Sequence, residues 1–346
     1  MPDANDAAAA LERIAYLLEE ALEPAYRVKA FRGAAATLRR TGVDEVARLH
    51  AAGKLTDLAG VGDTTARVVD EVLRGQVPAY LSQLEDERPD PATRPGAGLR
   101  ARLRGDCHSH SDWSDGGSPI REMAAAARAL GHEYLVLTDH SPRLTVAHGL
   151  NRERLEEQLE VVAEVNAEVA ADGGPPFRLL TGIEVDIYED GTLDQDDDLL
   201  ARLDLVVASA HSKLRMEAPA MTRRLCGALA NPHMDVLGHC TGRMVVGKGR
   251  PESTFDHELV FEAARSFDKA VEINCRPERL DPPRRLLRML VDGAVKVSID
   301  TDAHAPGQLE WQLLGCARAE ETGVDPALIV NTWVADDLLA WTASHA

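Results

Sequence analysis

Six histidines and three carboxylates stand at or just beyond the ends of short apolar runs in the sequence. These nine residues are His108, His110, Asp115, His140, Glu184, His211, His239, Asp302 and His304. A nitrogen-rich set of ligands with carboxylate partners suits zinc, manganese or iron better than magnesium or calcium. Any one of them alone is more typical of a structural residue, but burying so many ionisable groups together without cations would be prohibitively costly. The ensemble therefore predicts a site that holds several metal ions.

Several metal ions at one site favour the hydrolysis of phosphate esters. They generate hydroxide near neutral pH, act as Lewis acids and bind both the attacking and the leaving oxygen of an in-line displacement. Three later arginines, Arg243, Arg276 and Arg279, fit an anionic substrate because a guanidinium matches phosphate oxygens bidentately, with an ordinary surface charge as the alternative for each. Asn274 is placed to orient water or substrate. The sequence has no Gly-x-Ser-x-Gly elbow and no Walker loop, so metal-assisted hydrolysis is the chemistry that remains.

The elements that must position these residues are seven β-rich runs that alternate with helical stretches. The runs cover residues 103–110, 134–140, 178–185, 204–211, 234–240, 270–275 and 295–304. A chain of βα units either opens into a doubly wound sheet or closes into a barrel. No Gly-x-Gly-x-x-Gly follows any run, which favours the barrel over a dinucleotide-binding sheet. In a barrel, the carboxyl ends of the strands meet at one mouth, where the nine side chains would converge.

The sequence predicts three segments with different composition. Residues 1–82 show apolar residues at helical spacing and are expected to form an all-helical domain. Residues 83–102, with three prolines, two glycines and charges of both signs, are interpreted as a linker. Residues 103–346 are expected to form the barrel.

The acidic character of the chain is concentrated in its larger part. The formal net charge is −19, of which −3 lies in residues 1–100 and −16 in the remainder. Residues 24–55 carry seven basic and two acidic side chains, which fits either a phosphate-facing surface or a solvated helix face. Three divalent metal ions would add positive charge at the barrel mouth, so the acidity does not exclude DNA as a partner.

Composition also bears on the compartment. No apolar run approaches the roughly 20 residues of a membrane span, and the N-terminus is acidic where a signal peptide would be basic. The five cysteines are scattered without a Cys-x-x-Cys pair, which argues against a disulfide framework or a zinc ribbon. A cytoplasmic protein with no membrane partner is expected.

Seven motifs, taken in order, resemble the polymerase and histidinol phosphatase (PHP) domain. They are DCHSHSDWSDG, LTDHS, GIEVDI, ASAHS, LGHCTGR, EINCRPERLD and SIDTDAH. The resemblance covers about residues 103–346 and implies an α/β fold, a distorted (β/α)7 barrel with three divalent metal ions. Zinc, manganese or both are implied, with iron as an alternative.

The resemblance implies three groups of metal ligands with Glu184 as a bridge. The groups are His108, His110, Glu184 and Asp302 for the first metal; Glu184, His211 and His239 for the second; and Asp115, His140 and His304 for the third. It also implies catalysis by metal-activated hydroxide attack on phosphorus. The residues taken as catalytic are Glu184, His211, Asp302 and Asn274.

The N-terminal segments LERIAYLLEE, AYRVKAFRGAAATLRR and LTDLAGVGDTTARVVDEVLRG resemble the opening domain of bacterial family X DNA polymerases. Residues 58–62 are similar to the hairpin of a helix-hairpin-helix motif, in which Gly60 and Gly62 let backbone N–H groups approach a DNA phosphate. The accompanying basic residues would be Arg32, Arg39 and Arg40. Asp63 stands where that motif often has lysine, which weakens the phosphate contact and leaves protein docking or a structural role open.

The C-terminal segment IVNTWVADDLLAWTA also resembles the end of those polymerases. The short linker stands where a polymerase palm and fingers would need far more residues, and no nucleotidyltransferase Gly-Ser motif with paired aspartates is found. The chain thus resembles such a polymerase without its polymerase palm, and it is expected not to polymerise DNA.

The expected function is a metal-dependent phosphoesterase, a 3′–5′ exonuclease or 3′-end phosphodiesterase that binds DNA ends transiently. The closest alternative is a small-molecule phosphomonoesterase of the histidinol phosphate phosphatase type. A metal-dependent amidohydrolase would normally use a bridging lysine instead of Glu184, and a scaffold protein with a structural metal would need only four ligands. Metal identity, exonuclease polarity and oligomeric state stay open.

Overall fold

The computed structural model describes residues 2–246 and 248–345, and it contains two compact units, Met1–Asp90 and Pro91–Ala346. The first unit is helical. Its helices are α1 (Ala4–Glu20), α2 (Ala25–Thr41), α3 (Val43–Ala51), α4 (Asp63–Leu73) and α5 (Ala79–Glu87). The side chain of Asp3 accepts hydrogen bonds from the first turn of α1 and begins that helix. Leu11, Ile14 and Leu38 are fully buried in the aliphatic core between these helices.

A tight turn joins the single 3-10 turn Leu55–Asp57 to α4. The N–H of Val61 donates to the carbonyl of Leu58, and Gly60 has φ +80°, a left-handed conformation that favours glycine. Thr37 of α2 donates from its hydroxyl to the carbonyl of Ala59 at 3.0 Å. The turn that the sequence predicts as a hairpin is thereby held against α2.

The second unit alternates strands with helices. Its strands are β1 (Gly105–Ser109), β2 (Tyr134–Leu137), β3 (Arg178–Asp186), β4 (Leu205–Ser209), β5 (Val236–Leu237), β6 (Ala270–Asn274) and β7 (Val297–Asp300). Its helices are α6 (Ala97–Arg100), α7 (Ile120–Ala129), α8 (Arg152–Ala171), α9 (Asp197–Leu200), α10 (Ala218–Leu229), α11 (His257–Ser266), α12 (Arg284–Asp292), α13 (Gln312–Thr322) and α14 (Ala335–Ala343). Most strand residues are buried on both faces, as is usual for parallel sheets covered by helices.

The seven strands pair in sequence order and all pairs are parallel. The two outer strands also meet, because Ser109 forms a bridge with Ala303 and the N–H of His110 donates to the carbonyl of Ala303 at 2.8 Å. Between them, the N–H of Cys107 donates to the Asp300 carboxylate at 2.9 Å. The sheet is thus a nearly closed seven-stranded barrel, which confirms the predicted α/β barrel preceded by a helical region.

The segment predicted as a linker contains helical structure. Helix α5 extends through its first part, with Leu84 packed against the core of the first unit, and α6 lies near its end. In α6, Leu99 is buried and its N–H donates to the Glu320 carboxylate at 2.9 Å. The polar composition concealed these two short elements, because Leu84 and Leu99 are the only large apolar residues in residues 83–102. In the part of the chain that the structure describes, no helix has the length and hydropathy needed to cross a membrane.

Candidate metal centre

The nine predicted ligands all lie at the carboxyl ends of the barrel strands. His108 is on β1 and His110 directly follows it, so the alternation of side chains along a strand places both imidazoles on one face. Glu184 is on β3. The other ligands follow strand ends: Asp115 after β1, His140 after β2, His211 after β4, His239 after β5, and Asp302 and His304 after β7. Parallel strands in sequence order therefore collect residues that are up to 196 positions apart, from His108 to His304.

The first cluster contains the imidazoles of His108 and His110 with two carboxylates. The Nε2 atoms of His108 and His110 lie 3.1 Å apart. Glu184 Oε2 lies 3.4 Å from His108 Nε2 and 3.7 Å from His110 Nε2. Asp302 Oδ1 lies 4.0 Å and 3.3 Å from the same two nitrogens. All four side chains are at most 3% exposed.

Glu184 lies at the middle of the centre and contacts imidazoles on both of its oxygens. Oε1 is 2.9 Å from His239 Nε2 and 3.3 Å from His211 Nε2. Oε2 is 2.8 Å from His140 Nδ1. One carboxylate thus contacts predicted ligands from the ends of β2, β4 and β5.

Asp115 forms the third part of the centre at its more exposed side. Its Oδ1 lies 3.3 Å from His304 Nε2 and 3.5 Å from His140 Nε2. Asp115 is 37% exposed, whereas His140 is 7% exposed. The centre is therefore buried on the barrel side and opens toward Asp115.

The candidate ligand residues form three sets, and within each set the ligand atoms all lie within 4.8 Å of one another. They are His108, His110 and Asp302; His140, Glu184 and His211; and His110, Asp115, His140 and His304. These sets overlap the groups that the resemblance implies without matching them in full, since Glu184 is absent from the first set, His140 joins Glu184 and His211, and His110 joins the Asp115 set. His239 still contacts Glu184, with Nε2 2.9 Å from Oε1. His110 and His140 lie between neighbouring sets, with ring centroids 4.4 Å apart.

Carboxylates and imidazoles shift one another's protonation. Burial would raise the pKa of Glu184, but the neighbouring His211, His108 and His140 outweigh it and hold that pKa well below its usual range. Burial would lower the pKa of His211, but Glu184 and Asp186 raise it to about 9. The ionised form of the buried carboxylates is thus stabilised only by nearby positive charge, which imidazolium or divalent cations supply.

Two imidazoles at the centre favour their neutral form. Burial and the charge of Arg279 lower the pKa of His239 to about 3. Burial, together with His304 and His140, holds the pKa of His110 well below its usual range. Only a neutral imidazole offers a lone pair to a metal, so both side chains are in the ligating state at neutral pH.

The backbone at two of the ligands is unusual. Asp302 has φ +52° and His239 has φ +23°, in the region that side chains other than glycine rarely adopt. Such conformations persist where the surroundings hold them and concentrate at functional sites. Each of the two residues lies two positions beyond the end of its strand, where the predicted ligands converge.

The structure distinguishes the three predicted phosphate-binding arginines. Arg276 Nη1 donates to the carbonyl of Asp302 at 3.1 Å, and Arg279 Nε lies 3.4 Å from Asp302 Oδ2. Arg243 instead donates from Nε to the carbonyl of Arg279 at 3.0 Å and from Nη2 to the carbonyl of Leu280. Arg276 and Arg279 thus border the centre, while the guanidinium of Arg243 is bonded to the backbone of the loop that carries Arg279.

Asn274 lies inside the barrel, two residues beyond Glu272 on β6. Its side-chain amide donates to Asp302 Oδ2 at 3.1 Å and to Glu272 Oε2 at 3.2 Å. It is fully buried. Asn274 therefore orients the Asp302 carboxylate by direct contact.

Three buried carboxylates that border the centre were missed by the sequence analysis. Glu272 Oε1 lies 2.6 Å from His108 Nδ1. Asp186 accepts the main-chain N–H of His211 at 3.0 Å. Asp139 accepts the main-chain N–H of Ser111 at 2.8 Å. Alternation along the strands was the available signal for two of them, because Glu272 and Asp186 each lie two positions from a predicted site residue.

In the first unit, the predicted DNA-binding residues divide into two groups. Arg40 lies near the turn that contains Gly60, since it donates to Thr37 Oγ1 at 3.0 Å. Arg32 pairs with Glu19 at 2.8 Å and Arg39 pairs with Glu12 at 2.5 Å. Gly62 directly precedes α4, where its N–H donates to the Thr65 hydroxyl and its carbonyl accepts from the same hydroxyl.

Comparison with known protein families agrees with this architecture. Residues 106–274 match the PHP domain, and residues 2–77 match a helix-hairpin-helix domain. The chain therefore contains a PHP domain preceded by a helix-hairpin-helix domain.

Individual relatives fall into two kinds. The chain is similar to the DNA polymerase/3′-5′ exonuclease PolX of Bacillus subtilis (strain 168), with 38% identity over 240 residues, 69% of this chain and 41% of that protein. A probable phosphatase of Thermoanaerobacter sp. (strain X514) is 28% identical over 245 residues, 66% of this chain and 89% of that protein. The chain thus spans less than half the length of PolX.

A solved structure is also similar. It is histidinol phosphate phosphatase from Lactococcus lactis subsp. lactis Il1403, in complex with zinc, L-histidinol and phosphate, with 19% identity and a TM-score of 0.47. The match covers 64% of this chain and 95% of that one.

Proposed function

We propose that this protein hydrolyses phosphodiester bonds at DNA 3′ ends, as a 3′–5′ exonuclease or 3′-end phosphodiesterase. The observation that carries the proposal is the convergence of nine imidazole and carboxylate side chains, the predicted ligands, at one end of the barrel. The similarity to PolX, which is named as a 3′-5′ exonuclease, and the helix-hairpin-helix domain favour DNA over other phosphate esters. The cytoplasm is the compartment proposed with it.

The ligand spacing fits divalent metal ions. Zinc ligands lie about 2.0–2.1 Å from the ion, and a tetrahedron of that size has edges of about 3.3 Å. The five measured distances among the donor atoms of the first cluster run from 3.1 to 4.0 Å. Three buried atoms of the centre have no hydrogen-bond partner among the described residues: Glu184 Oε2, His140 Nδ1 and His211 Nε2. The donor set therefore suits cations better than a hydrogen-bonded core.

Three divalent ions, zinc or manganese with iron as an alternative, are proposed as cofactors. Their ligands would be His108, His110, Glu184 and Asp302; Glu184, His211 and His239; and Asp115, His140 and His304, with His140 and His110 close enough to be shared. When bound, these ions would activate water and stabilise negative charge on phosphorus oxygens.

The protein's own side chains would orient the ligands and the substrate. Asn274 and Arg276 hold Asp302 through direct hydrogen bonds. Arg279 is the strongest candidate for a phosphate contact, since its Nη1 has no hydrogen-bond partner among the described residues while its Nε faces Asp302. Arg243 would act indirectly, by holding the loop that carries Arg279.

The helical domain would supply sequence-independent contacts to DNA phosphates. The turn at Gly60 and the first turn of α4 present backbone N–H groups, which favour anions. Arg40 lies beside this turn, whereas Arg32 and Arg39 are already paired with glutamates. Of the three arginines, Arg40 is therefore expected to contribute most to DNA binding.

The second candidate function is a small-molecule phosphomonoesterase of the histidinol phosphate phosphatase type. The match to a probable phosphatase over 89% of that protein's length favours it. Such a substrate would not require the helix-hairpin-helix domain.

Metal-loaded protein should be given a 3′-recessed labelled oligonucleotide, a duplex with an abasic site and histidinol phosphate in parallel. Cleavage of the DNA substrates is expected, and it should be lost in His108→Ala. His233→Ala is the matched control, because His233 precedes β5 at the other end of the barrel. Turnover of histidinol phosphate alone would reject the DNA proposal, and full activity of His108→Ala would reject the metal centre.

A further inference from the structure

Glu272 is a buried acid inside the barrel that the proposed mechanism does not use. It lies on β6, is fully buried, and contacts side chains or backbone from three different strand ends. Oε1 is 2.6 Å from His108 Nδ1. Oε2 accepts the main-chain N–H of His239 at 2.5 Å and the side-chain amide of Asn274 at 3.2 Å.

The contact with His108 selects the tautomer of that imidazole. A carboxylate acceptor at Nδ1 requires the proton to be on Nδ1, which leaves the lone pair on Nε2. Nε2 is the atom that faces Glu184, Asp302 and His110. Glu272 thus directs the lone pair on His108 Nε2 toward the first cluster.

The contact with His239 acts on the backbone. His239 has φ +23°, a strained conformation that needs external support. The hydrogen bond from its N–H to Glu272 supplies such support. The imidazole of His239 then reaches Glu184 Oε1 at 2.9 Å.

From these contacts we infer that Glu272 is a positioning residue for the metal centre, which holds His108 and His239 in their ligating geometry without itself being a ligand. The inference rests on the metal ligands proposed above. Hydrogen bonds from outer residues to metal-bound imidazoles commonly contribute about 10–100-fold to metal affinity.

Glutamine at this position could not replace the carboxylate. Glu272 accepts from His108 on one oxygen and from His239 and Asn274 on the other, so both ends of the group are acceptors. A glutamine has one acceptor end and one donor end. In one orientation, the glutamine NH2 group faces the main-chain N–H of His239, so that two donors meet. In the other orientation, the NH2 group donates to His108 Nδ1, and the imidazole proton must then be on Nε2.

The test is the zinc affinity of Glu272→Gln, measured by competition with a chromogenic chelator. Asp235→Asn is the matched control, since Asp235 is also a buried barrel carboxylate that accepts a main-chain N–H, from Val206 at 2.8 Å, but lies before β5. A loss of affinity greater than fivefold in Glu272→Gln and less than twofold in Asp235→Asn is expected. A smaller loss in Glu272→Gln, or an equal loss in the control, overturns the inference.

A second measurement needs no variant. Long-range proton–nitrogen correlation spectra of the zinc-loaded wild-type protein should show His108 protonated at Nδ1, and protonation at Nε2 would overturn the inference even if Glu272→Gln did not fold. If the wild-type protein bound no zinc, the proposed metal centre itself would fail, which is a distinct result.

Discussion

The protonation of His211 predicts how the stability of the metal-free protein changes with pH. In the folded protein, Glu184 and Asp186 outweigh burial and raise the pKa of His211 to about 9, whereas an unfolded histidine has a pKa of about 6.5. A raised folded pKa gives stability that is fully present below the unfolded pKa and is lost as pH rises toward the folded one. The free energy of unfolding should therefore fall from pH 6.5 upward.

The size of the effect follows from linkage. One proton of difference between the folded and unfolded states changes the free energy of unfolding by about 1.4 kcal/mol per pH unit. Between pH 6.5 and 8, His211 remains mainly protonated in the folded state, so it accounts for a loss of roughly 1.5 kcal/mol. His108, whose pKa is also raised because Glu184 and Glu272 outweigh burial, acts in the same direction.

Urea unfolding followed by tryptophan fluorescence measures this loss in the barrel alone. The four tryptophans, Trp113, Trp311, Trp333 and Trp341, all lie in the second unit. Chelator-treated wild-type protein should lose stability between pH 6.5 and 8, and His211→Gln should reduce the loss by roughly 1.5 kcal/mol. His233→Gln, the matched control, should keep the wild-type slope.

Saturating zinc should reverse the sign of the pH dependence of the free energy of unfolding. Metal-bound imidazoles must be neutral, so protons compete with the metal and the loaded protein should gain stability as pH rises. A flat profile in the metal-free protein, or the same slope in His211→Gln as in wild type, would refute the reasoning about Glu184 and Asp186.

Three further predictions concern individual residues. Arg279→Ala should lower kcat/KM on DNA by about 10–100-fold through loss of a charge-assisted phosphate contact, with zinc content unchanged by metal analysis; unchanged kinetics would exclude that contact. Arg243→Ala should lower the thermal midpoint of the barrel, because it removes donors to the carbonyls of Arg279 and Leu280, and an unaltered melting curve would contradict this structural role. Gly60→Ala should lower the free energy of unfolding of the helical unit by about 1–2 kcal/mol, because Gly60 has φ +80°. It should also weaken DNA binding in a fluorescence anisotropy titration without changing zinc affinity, and unchanged DNA binding would show that the turn is not part of the DNA site.

Much of the architecture could be read from local patterns. Apolar runs of four to eight residues separated by helical stretches predict parallel strands, and a buried parallel strand needs little more than its own composition to be recognised. His108 and His110 are predictable as a pair because alternation along β1 requires them to share a face. The helices hidden in residues 83–102 were missed because a short element held by Leu84 or Leu99 leaves almost no periodic signal.

The metal centre itself was predictable only as a set of residue types. Each ligand lies near or beyond the carboxyl end of a strand, so closure of the barrel brings the nine side chains together. Which ligands are neighbours depends on strand register and on the loops beyond the strands, and these place His110 and His140 between neighbouring sets of ligand atoms. Arg243 shows the same limit, because an arginine beside a site faces either the ligand or the backbone of a neighbouring loop.

By itself, the sequence determined the succession of strands and helices along the chain, the residues at the strand ends and the chemical character of the site, because these depend on short-range patterns and on composition. Tertiary structure alone decided that Glu272 on β6 faces His108 on β1, that Asp186 lies beside His211, and that Glu184 connects the imidazoles of three other strands. Closure of the barrel is the physical reason. It brings β1 against β7 and directs alternate side chains of every strand into one interior, where partners are selected by distance through space rather than along the chain.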